Sequence, residues 1–182
     1  MNPIIAFSGS SQTGKTTLAR LLADHLNAKV LIFGDFVRDQ AKNLGIENPT
    51  REMLQDLGHQ MVKSDAQRFC SAALESARHR SGESLVVDGI RHLEILAAIQ
   101  KLNPEQNVRL VYLSAPLEKR QERTHGNEDL TQVDSHPVEA DTNEKLRAAA
   151  DLVLDTSGDR EQAFRRLLNW LSTTTTTQKS RS

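Results

Sequence analysis

Cysteine, aromatic residues and long apolar runs are all scarce in this chain of 182 residues. Cys70 is the single cysteine, which excludes a disulfide framework and a cysteine-based zinc cluster and favours a reducing, cytoplasmic setting. No apolar run approaches the roughly 18 residues of a membrane-spanning helix, and no charged leader precedes the first apolar segment. We therefore expect neither a membrane partner nor a targeting segment.

An excess of basic residues is also missing, since 23 lysines and arginines stand against 24 aspartates and glutamates, for a formal net charge of −1. Nucleic acid is therefore not an expected partner, because proteins that bind it usually carry a basic stripe. The length and the ordinary share of apolar residues, 37%, predict one domain over residues 1–172. The Thr-rich segment 173–182 lacks an apolar anchor, which predicts a disordered tail. Composition does not distinguish a monomer from a homodimer.

Five short apolar runs predict five strands: Ile4 to Phe7, Val30 to Phe33, Leu85 to Val87, Val108 to Leu113 and Leu152 to Leu154. Continuous rather than alternating hydrophobicity is typical of strands in a parallel sheet that helices cover on both faces. Apolar residues recur at helical spacing in the segments 93–99 and 164–171. The pattern predicts a doubly wound α/β fold.

A glycine-containing loop between the first predicted strand and the first predicted helix carries the strongest functional signal. It has the spacing G-x-x-x-x-G-K-[ST] of a phosphate-binding loop, and its candidate nucleotide-binding residues are Gly9, Ser10, Ser11, Gln12, Thr13, Gly14, Lys15, Thr16 and Thr17. Backbone amides and the helix N-terminus bind the anion in such a loop. Lys15 is then expected to reach the β and γ phosphates, and the Thr16 hydroxyl to bind Mg²⁺. A flexible glycine and serine turn is the alternative, and the flanking strand and helix count against it.

Residues that follow the apolar runs are the next candidates, because ligands of open parallel sheets gather at the carboxyl ends of the strands. Asp88 follows the third run and is a candidate Mg²⁺ ligand beside the phosphate loop, or else a helix N-cap. Arg38 and Arg91 follow the second and third runs and are candidate ligands for an acceptor phosphate, or else surface ion pairs. Arg51 is a third such candidate. For Asp35 three roles are possible: accepting a proton, binding a sugar or base, or capping a helix.

Two segments, 35–80 and 116–141, are longer than a crossover requires, and such excess is where binding and gating tend to lie. The first is predicted to hold at least two helices, one of them starting at 49–52. Gly58 is a position where a bend is expected. The second segment is polar and is a candidate lid.

Arg120 and Arg123 lie three residues apart in the candidate lid, so they share a helix face. They are candidate catalytic residues that close over the nucleotide, or they only solvate that helix. Glu139 follows a helix start at Pro137 and is assigned to the positive end of that helix, with substrate contact left open.

These motifs resemble the nucleotide kinase branch of the phosphate-loop proteins over residues 3–172. Gly34-Asp35-Phe36-Val37-Arg38 is similar to the G-D-x-x-R segment of adenylate kinases, and Asp88-Gly89-Ile90-Arg91 resembles their D-G-x-x-R segment, one residue shorter. Segments 50–58 and 136–139 resemble phage-type deoxynucleoside monophosphate kinases. Dephospho-coenzyme A kinases share the general plan.

The resemblance implies a phosphate-loop NTPase fold, a three-layer sandwich around a five-stranded parallel sheet of order 2-3-1-4-5. It also implies an acceptor-binding helical insert at about 35–80, a lid at about 116–141, and ATP with Mg²⁺. The predicted activity is ATP-dependent phosphoryl transfer to a nucleoside or deoxynucleoside monophosphate, with these catalytic residues: Lys15, Arg38, Arg91, Arg120, Arg123 and Asp88. A hydroxyl kinase of the dephospho-coenzyme A type and a nucleotide-dependent switch or ATPase acting on a macromolecular partner are the alternatives.

Overall fold

The structure of the protein, a computed structural model, describes residues 2–124, 130 and 137–179, and for 137–141 and 175–179 it describes the backbone only. The strands are β1 (Ile4–Gly9), β2 (Lys29–Ile32), β3 (Leu85–Asp88), β4 (Val108–Ser114) and β5 (Leu152–Asp155). They form one parallel sheet in the order β2-β3-β1-β4-β5. The predicted α/β fold and strand order are therefore confirmed.

Helices connect each strand to the next, as parallel strands require. The described helices are α1 (Lys15–Leu26), α2 (Phe33–Asn43), α3 (Arg51–Ser76), α4 (Leu93–Leu102), α5 (Leu117–Glu122), α6 (Pro137–Ala149) and α7 (Arg160–Lys179). The insert between β2 and β3 holds two of them, α2 and α3, as predicted. In the part of the chain that the structure describes, no helix combines the length and the apolarity needed to cross a membrane.

Two apolar cores lie on opposite faces of the sheet, because successive residues of a strand point to opposite sides. Ile4 and Ala6 of β1 belong to one core, with apolar residues of α2, α3 and α4. Ile5 and Phe7 belong to the other, with residues of α1 and α7. All four are fully buried. Burial on both faces explains why the strands appear in the sequence as continuous apolar runs.

The second strand ends one residue earlier than the sequence predicts, which changes the place of the segment after it. Phe33, predicted as the last strand residue, is the first residue of α2. Asp35 and Arg38 therefore lie on the first two turns of α2. Asp35 does not cap that helix, since the N-cap position belongs to Ile32. The prediction was wrong at this boundary because a buried phenylalanine fits a strand end and a helix start equally well.

Helix α3 begins where the sequence predicts but bends elsewhere. Thr50 is its N-cap, and the Thr50 hydroxyl accepts a hydrogen bond from the amide three residues on at 3.2 Å. The bend lies at Asp65, whose backbone leaves the helical region (φ −161°, ψ 94°), and not at Gly58. The Asp65 carboxylate accepts a hydrogen bond from the Arg68 amide at 2.8 Å. Asp65 therefore acts as an N-cap for the second half of the helix.

Helix α7 continues beyond residue 172, where the sequence predicts a disordered tail to begin. The hydroxyls of Thr173 and Thr174 donate hydrogen bonds to the Trp170 carbonyl at 2.8 and 3.1 Å. Leu167, three residues before Trp170, is fully buried, so packing stabilises this part of the helix. The threonines continue a helix that is already formed. Residues 180–182 of the predicted tail lie outside the described residues.

Candidate functional site

The loop between β1 and α1 has a backbone conformation that its glycines permit. Gly9 has φ +133° and Gly14, the N-cap of α1, has φ +85°. A Cβ on Gly9 would lie 2.2 Å from the Leu113 carbonyl oxygen, so only glycine fits between β1 and β4 here. Helix α1 starts at Lys15, directly after the loop, and Thr17 lies in its first turn. This strand, loop and helix arrangement is the context that a phosphate-binding loop requires.

Hydrogen bonds inside the loop hold the Lys15 side chain against it. The Lys15 ammonium donates to the Ser10 carbonyl at 2.7 Å, and the Thr13 hydroxyl donates to the same oxygen at 2.9 Å. Burial, and to a lesser degree the charges of nearby arginines, lower the pKa of Lys15 to about 8. The charge of Asp88 opposes this shift. An anionic ligand beside Lys15 would favour the charged form, because it restores the electrostatic stabilisation that burial removes.

Asp88 and Thr16 form the candidate metal site. The Thr16 hydroxyl donates a hydrogen bond to Asp88 Oδ2 at 2.5 Å, which confirms that Asp88 lies beside the phosphate loop. Asp88 is only 3% exposed, and among the described residues its Oδ1 has no hydrogen-bond partner. Burial raises the pKa of Asp88, and the Thr16 hydrogen bond and the charge of Lys15 oppose that shift. A buried carboxylate oxygen beside a hydroxyl fits Mg²⁺, which takes one or two protein oxygens and fills its shell with water and phosphate.

A cavity of about 400 Å³ opens between the phosphate loop and helices α2, α3 and α4. Arg38 of α2, Arg51 of α3 and Arg91, which follows β3, line this cavity together with Lys15 and Asp88. The two arginines that the sequence predicts to converge, Arg38 and Arg91, therefore line one space. Arg51, the third candidate, joins them.

Two of these arginines bind oxygen atoms of other side chains in the protein. Arg51 donates a hydrogen bond to the Ser11 hydroxyl of the phosphate loop at 2.6 Å. Arg38 forms a 2.7 Å ion pair with Asp35, one helical turn before it, and both side chains are about half exposed. An ion pair at such exposure contributes little to stability, so exchanging Asp35 for a phosphate costs little.

Arg120 and Arg123 contact the phosphate loop from the side of β4. Arg120 is 6% exposed, and its guanidinium donates to the Ser11 carbonyl at 3.4 Å, so it does not merely solvate its helix. Arg123 donates to the Gln12 carbonyl at 3.0 Å. The described start of the predicted lid is thus hydrogen-bonded to the phosphate loop, and its closure over the nucleotide stays a prediction. Other parts of the lid lie outside the described residues, namely 125–129, 131–136 and the side chain of Glu139.

Thr156, directly after β5, is a further residue of the site that the sequence analysis missed. Its hydroxyl donates to the Thr13 carbonyl at 2.8 Å, its amide donates to the Ser114 carbonyl at 2.8 Å, and its carbonyl accepts from Arg123. It is 6% exposed. Thr156 thereby joins the end of β5 to the phosphate loop. The strand-end rule that identified Asp88 applies equally to Thr156, so a signal for it was present.

Replacing Thr156 with valine is expected to lower the free energy of unfolding by about 1–2 kcal/mol, because the nearly isosteric side chain removes a buried donor from the Thr13 carbonyl. Chemical denaturation measures this change. Thr156→Ser keeps the hydroxyl and is the control, which should retain most of the stability. A loss of stability in the serine variant with none in the valine variant would show that the methyl group, and not the hydrogen bond, stabilises this junction.

A family model, AAA_18, described as an AAA domain, matches residues 5–147, which include the phosphate loop, Asp88 and the cavity-lining arginines. The chain belongs to this family. A UPF0200 protein of Aeropyrum pernix is 28% identical over 169 residues, which cover 88% of each chain. A UPF0200 protein of Hyperthermus butylicus is 32% identical over 100 residues, which cover 54% of this chain and 53% of that one.

Solved structures with the same fold include several kinases. A sugar kinase from Janibacter sp. HTCC2649 is 20% identical with a TM-score of 0.54, over 94% of this chain and 95% of that one. A shikimate kinase from Aquifex aeolicus vf5 is 16% identical with a TM-score of 0.58, over 94% and 98%. At these identities the likeness shows the fold alone. It confirms the phosphate-loop kinase-like α/β fold that the resemblance implied.

Proposed function

We propose that the protein transfers the γ-phosphoryl group of ATP to the phosphate of a nucleoside or deoxynucleoside monophosphate. The observation that carries this proposal is the shared cavity, which Arg38, Arg51 and Arg91 line together with the phosphate-loop lysine, Lys15. Guanidinium groups bind phosphate through paired, charge-assisted hydrogen bonds. Three of them beside a triphosphate site suit an acceptor that carries its own phosphate.

The donor side of the site follows from the phosphate loop. Its backbone amides and the N-terminus of α1 supply donors to the phosphates, and Lys15 exchanges the Ser10 carbonyl for a phosphate oxygen. Arg120 and Arg123 donate hydrogen bonds to carbonyls of the same loop and add positive charge there. Asp88 and Thr16 would hold Mg²⁺, which when bound neutralises charge on the β and γ phosphates.

The acceptor side requires positioning rather than covalent help from the protein. Arg38 and Arg91 hold the acceptor phosphate so that one of its oxygens faces the γ phosphate. A phosphate monoester is largely deprotonated at neutral pH, since its second pKa is about 6, so its oxygen attacks without a general base. Asp35, which is paired with Arg38, is therefore not needed as a base.

An acceptor screen tests the proposal directly. ADP formation from ATP and Mg²⁺ is measured with nucleoside and deoxynucleoside monophosphates, dephospho-coenzyme A, gluconate and shikimate. The proposal predicts that a nucleoside or deoxynucleoside monophosphate stimulates ADP formation most strongly. Stimulation by dephospho-coenzyme A, gluconate or shikimate alone would replace it with a hydroxyl kinase. Hydrolysis that no acceptor stimulates would favour a nucleotide-dependent switch.

Replacing Arg38 or Arg91 with methionine is expected to raise the KM for the monophosphate acceptor about 10- to 100-fold, because each change removes charge-assisted hydrogen bonds to its phosphate. The KM for ATP should change far less, since the donor is held by the phosphate loop. Steady-state kinetics with each substrate varied in turn separates the two. Arg165→Met, on the exposed face of α7, is the matched control. Unchanged acceptor KM in both cavity variants would contradict the assigned role.

A further inference from the structure

Besides its charged residues, the cavity is lined by apolar side chains. Six apolar side chains line the part of the cavity that α2, α3 and α4 enclose: Phe33, Val37, Leu54, Val62, Phe69 and Ile95. The rings of Phe33 and Phe69 stack with their centroids 5.2 Å apart. A group with many hydroxyls loses hydrogen bonds to water against such walls without replacement, whereas a flat heteroaromatic ring buries its faces there favourably.

Two histidines also line the cavity, of which His59 is exposed and His92 is partly buried. His59 of α3 and His92, the N-cap of α4, both line the cavity, and their ring centroids are 5.2 Å apart at a tilt of 46°. Burial, and to a lesser degree the neighbouring His59, lower the pKa of His92, which favours its neutral form at neutral pH. A neutral imidazole carries one hydrogen-bond donor and one acceptor, so it can bond to either kind of polar group on the edge of a nucleobase.

Helix α3 separates His59 from Arg51, at the phosphate-loop end of the cavity. Arg51, which contacts the phosphate loop, and His59 are eight residues apart, or about 12 Å along the helix axis. Gln55 lies midway and lines the same cavity. A nucleoside monophosphate is comparable to this span in length, with its phosphate at one end and the polar edge of its base at the other.

We propose that His59 and His92 form the site that recognises the base of the acceptor, and that they select a nucleotide over a phosphorylated sugar. This inference rests on the proposed function and adds the residues that determine specificity. The ring faces of the base pack on the apolar walls, and its polar edge exchanges hydrogen bonds with the two imidazoles. The arginines bind only the phosphate, and every phosphorylated acceptor has one, so the arginines do not distinguish between acceptors.

The test compares probes that share a phosphate and a sugar but differ in the base. Calorimetry on the full chain measures the affinities of AMP, GMP, CMP, UMP and ribose 5-phosphate. The wild type is expected to bind its preferred monophosphate at least about tenfold more tightly than ribose 5-phosphate. His59→Phe and His92→Phe keep a ring but remove its polar atoms, and each should weaken the preferred monophosphate about 3- to 10-fold. Each variant should also reduce the differences in affinity between monophosphates with different bases. Its affinity for ribose 5-phosphate should stay within about twofold of the wild-type value.

His25→Phe is the matched control, since His25 lies on α1 against Phe164, away from this cavity. Denaturation midpoints of the variants show whether ring replacement disturbs the fold. Wild-type protein that binds ribose 5-phosphate as tightly as every monophosphate would overturn the inference, as would histidine variants that keep the wild-type ranking of bases. Base-dependent binding without phosphoryl transfer to any monophosphate would instead refute the proposed function and leave the recognition site standing.

Discussion

Replacing Lys15 with methionine is expected to lower kcat for phosphoryl transfer by about a thousandfold, while the protein stays folded. The ammonium is the one side-chain charge that the phosphate loop itself supplies, and donors aimed at developing charge contribute most in a water-excluded site. Methionine preserves much of the length and packing of the side chain. Because burial lowers the pKa of Lys15, its charge is costly in the unliganded site, and its removal should not reduce the free energy of unfolding.

Initial rates and denaturation curves of the same preparation test this expectation. Lys42→Met is the matched control, because Lys42 lies on the exposed face of α2, where it pairs with Asp39 at 3.6 Å. The control should keep wild-type kcat. A Lys15 variant that is stable and retains more than about a tenth of wild-type kcat would mean that the loop does not hold the transferred phosphoryl group.

Replacing Asp88 with asparagine is expected to lower kcat about a hundredfold or more and to raise the Mg²⁺ concentration that gives half-maximal rate. Asparagine keeps the shape of the side chain and an oxygen for the Thr16 hydroxyl, but it removes the negative charge that favours a divalent cation. Burial raises the pKa of Asp88, so the charged carboxylate is held at a cost and its neutralisation should not destabilise the fold.

The measurement is a titration of the initial rate with Mg²⁺ at saturating ATP. Asp56→Asn, at an exposed position of α3, is the control and should give the wild-type curve. An Asp88 variant with an unchanged Mg²⁺ requirement would show that Asp88 only positions Thr16 and takes no part in metal binding.

The sheet was predictable because burial on both faces leaves continuous apolar runs in the sequence. Ile4 to Phe7 and Leu85 to Val87 lie in the central part of the sheet, and each is fully buried, so a short continuous apolar run indicates each strand. The strand-end rule then located Asp88 and Arg91, because the topology brings these chain positions to one edge of the sheet. Helix boundaries were harder: Phe33 is apolar in either state, so hydrophobicity does not decide where β2 ends.

Contacts between segments that are distant in the chain could not be predicted from the sequence. The position of Thr156 after β5 indicates a residue of the site, but no local pattern indicates that its hydroxyl donates to the carbonyl of Thr13, 143 positions away. Arg120 was expected either to close over the nucleotide or only to solvate its helix, and its burial and its hydrogen bond to the Ser11 carbonyl contradict the second alternative. The bend at Asp65 depends on a side chain that caps its own helix from inside, which competes with the helix signal around it.

One measurement tests most directly whether two phosphates meet in this cavity. ATP labelled in its γ phosphate is incubated with Mg²⁺, the protein and the best monophosphate from the screen, and the position of the label in the products is determined. We expect the label to become the β phosphate of a nucleoside diphosphate, in a one-to-one ratio with ADP. Label found only in inorganic phosphate, or attached to a hydroxyl of the acceptor, would contradict this expectation.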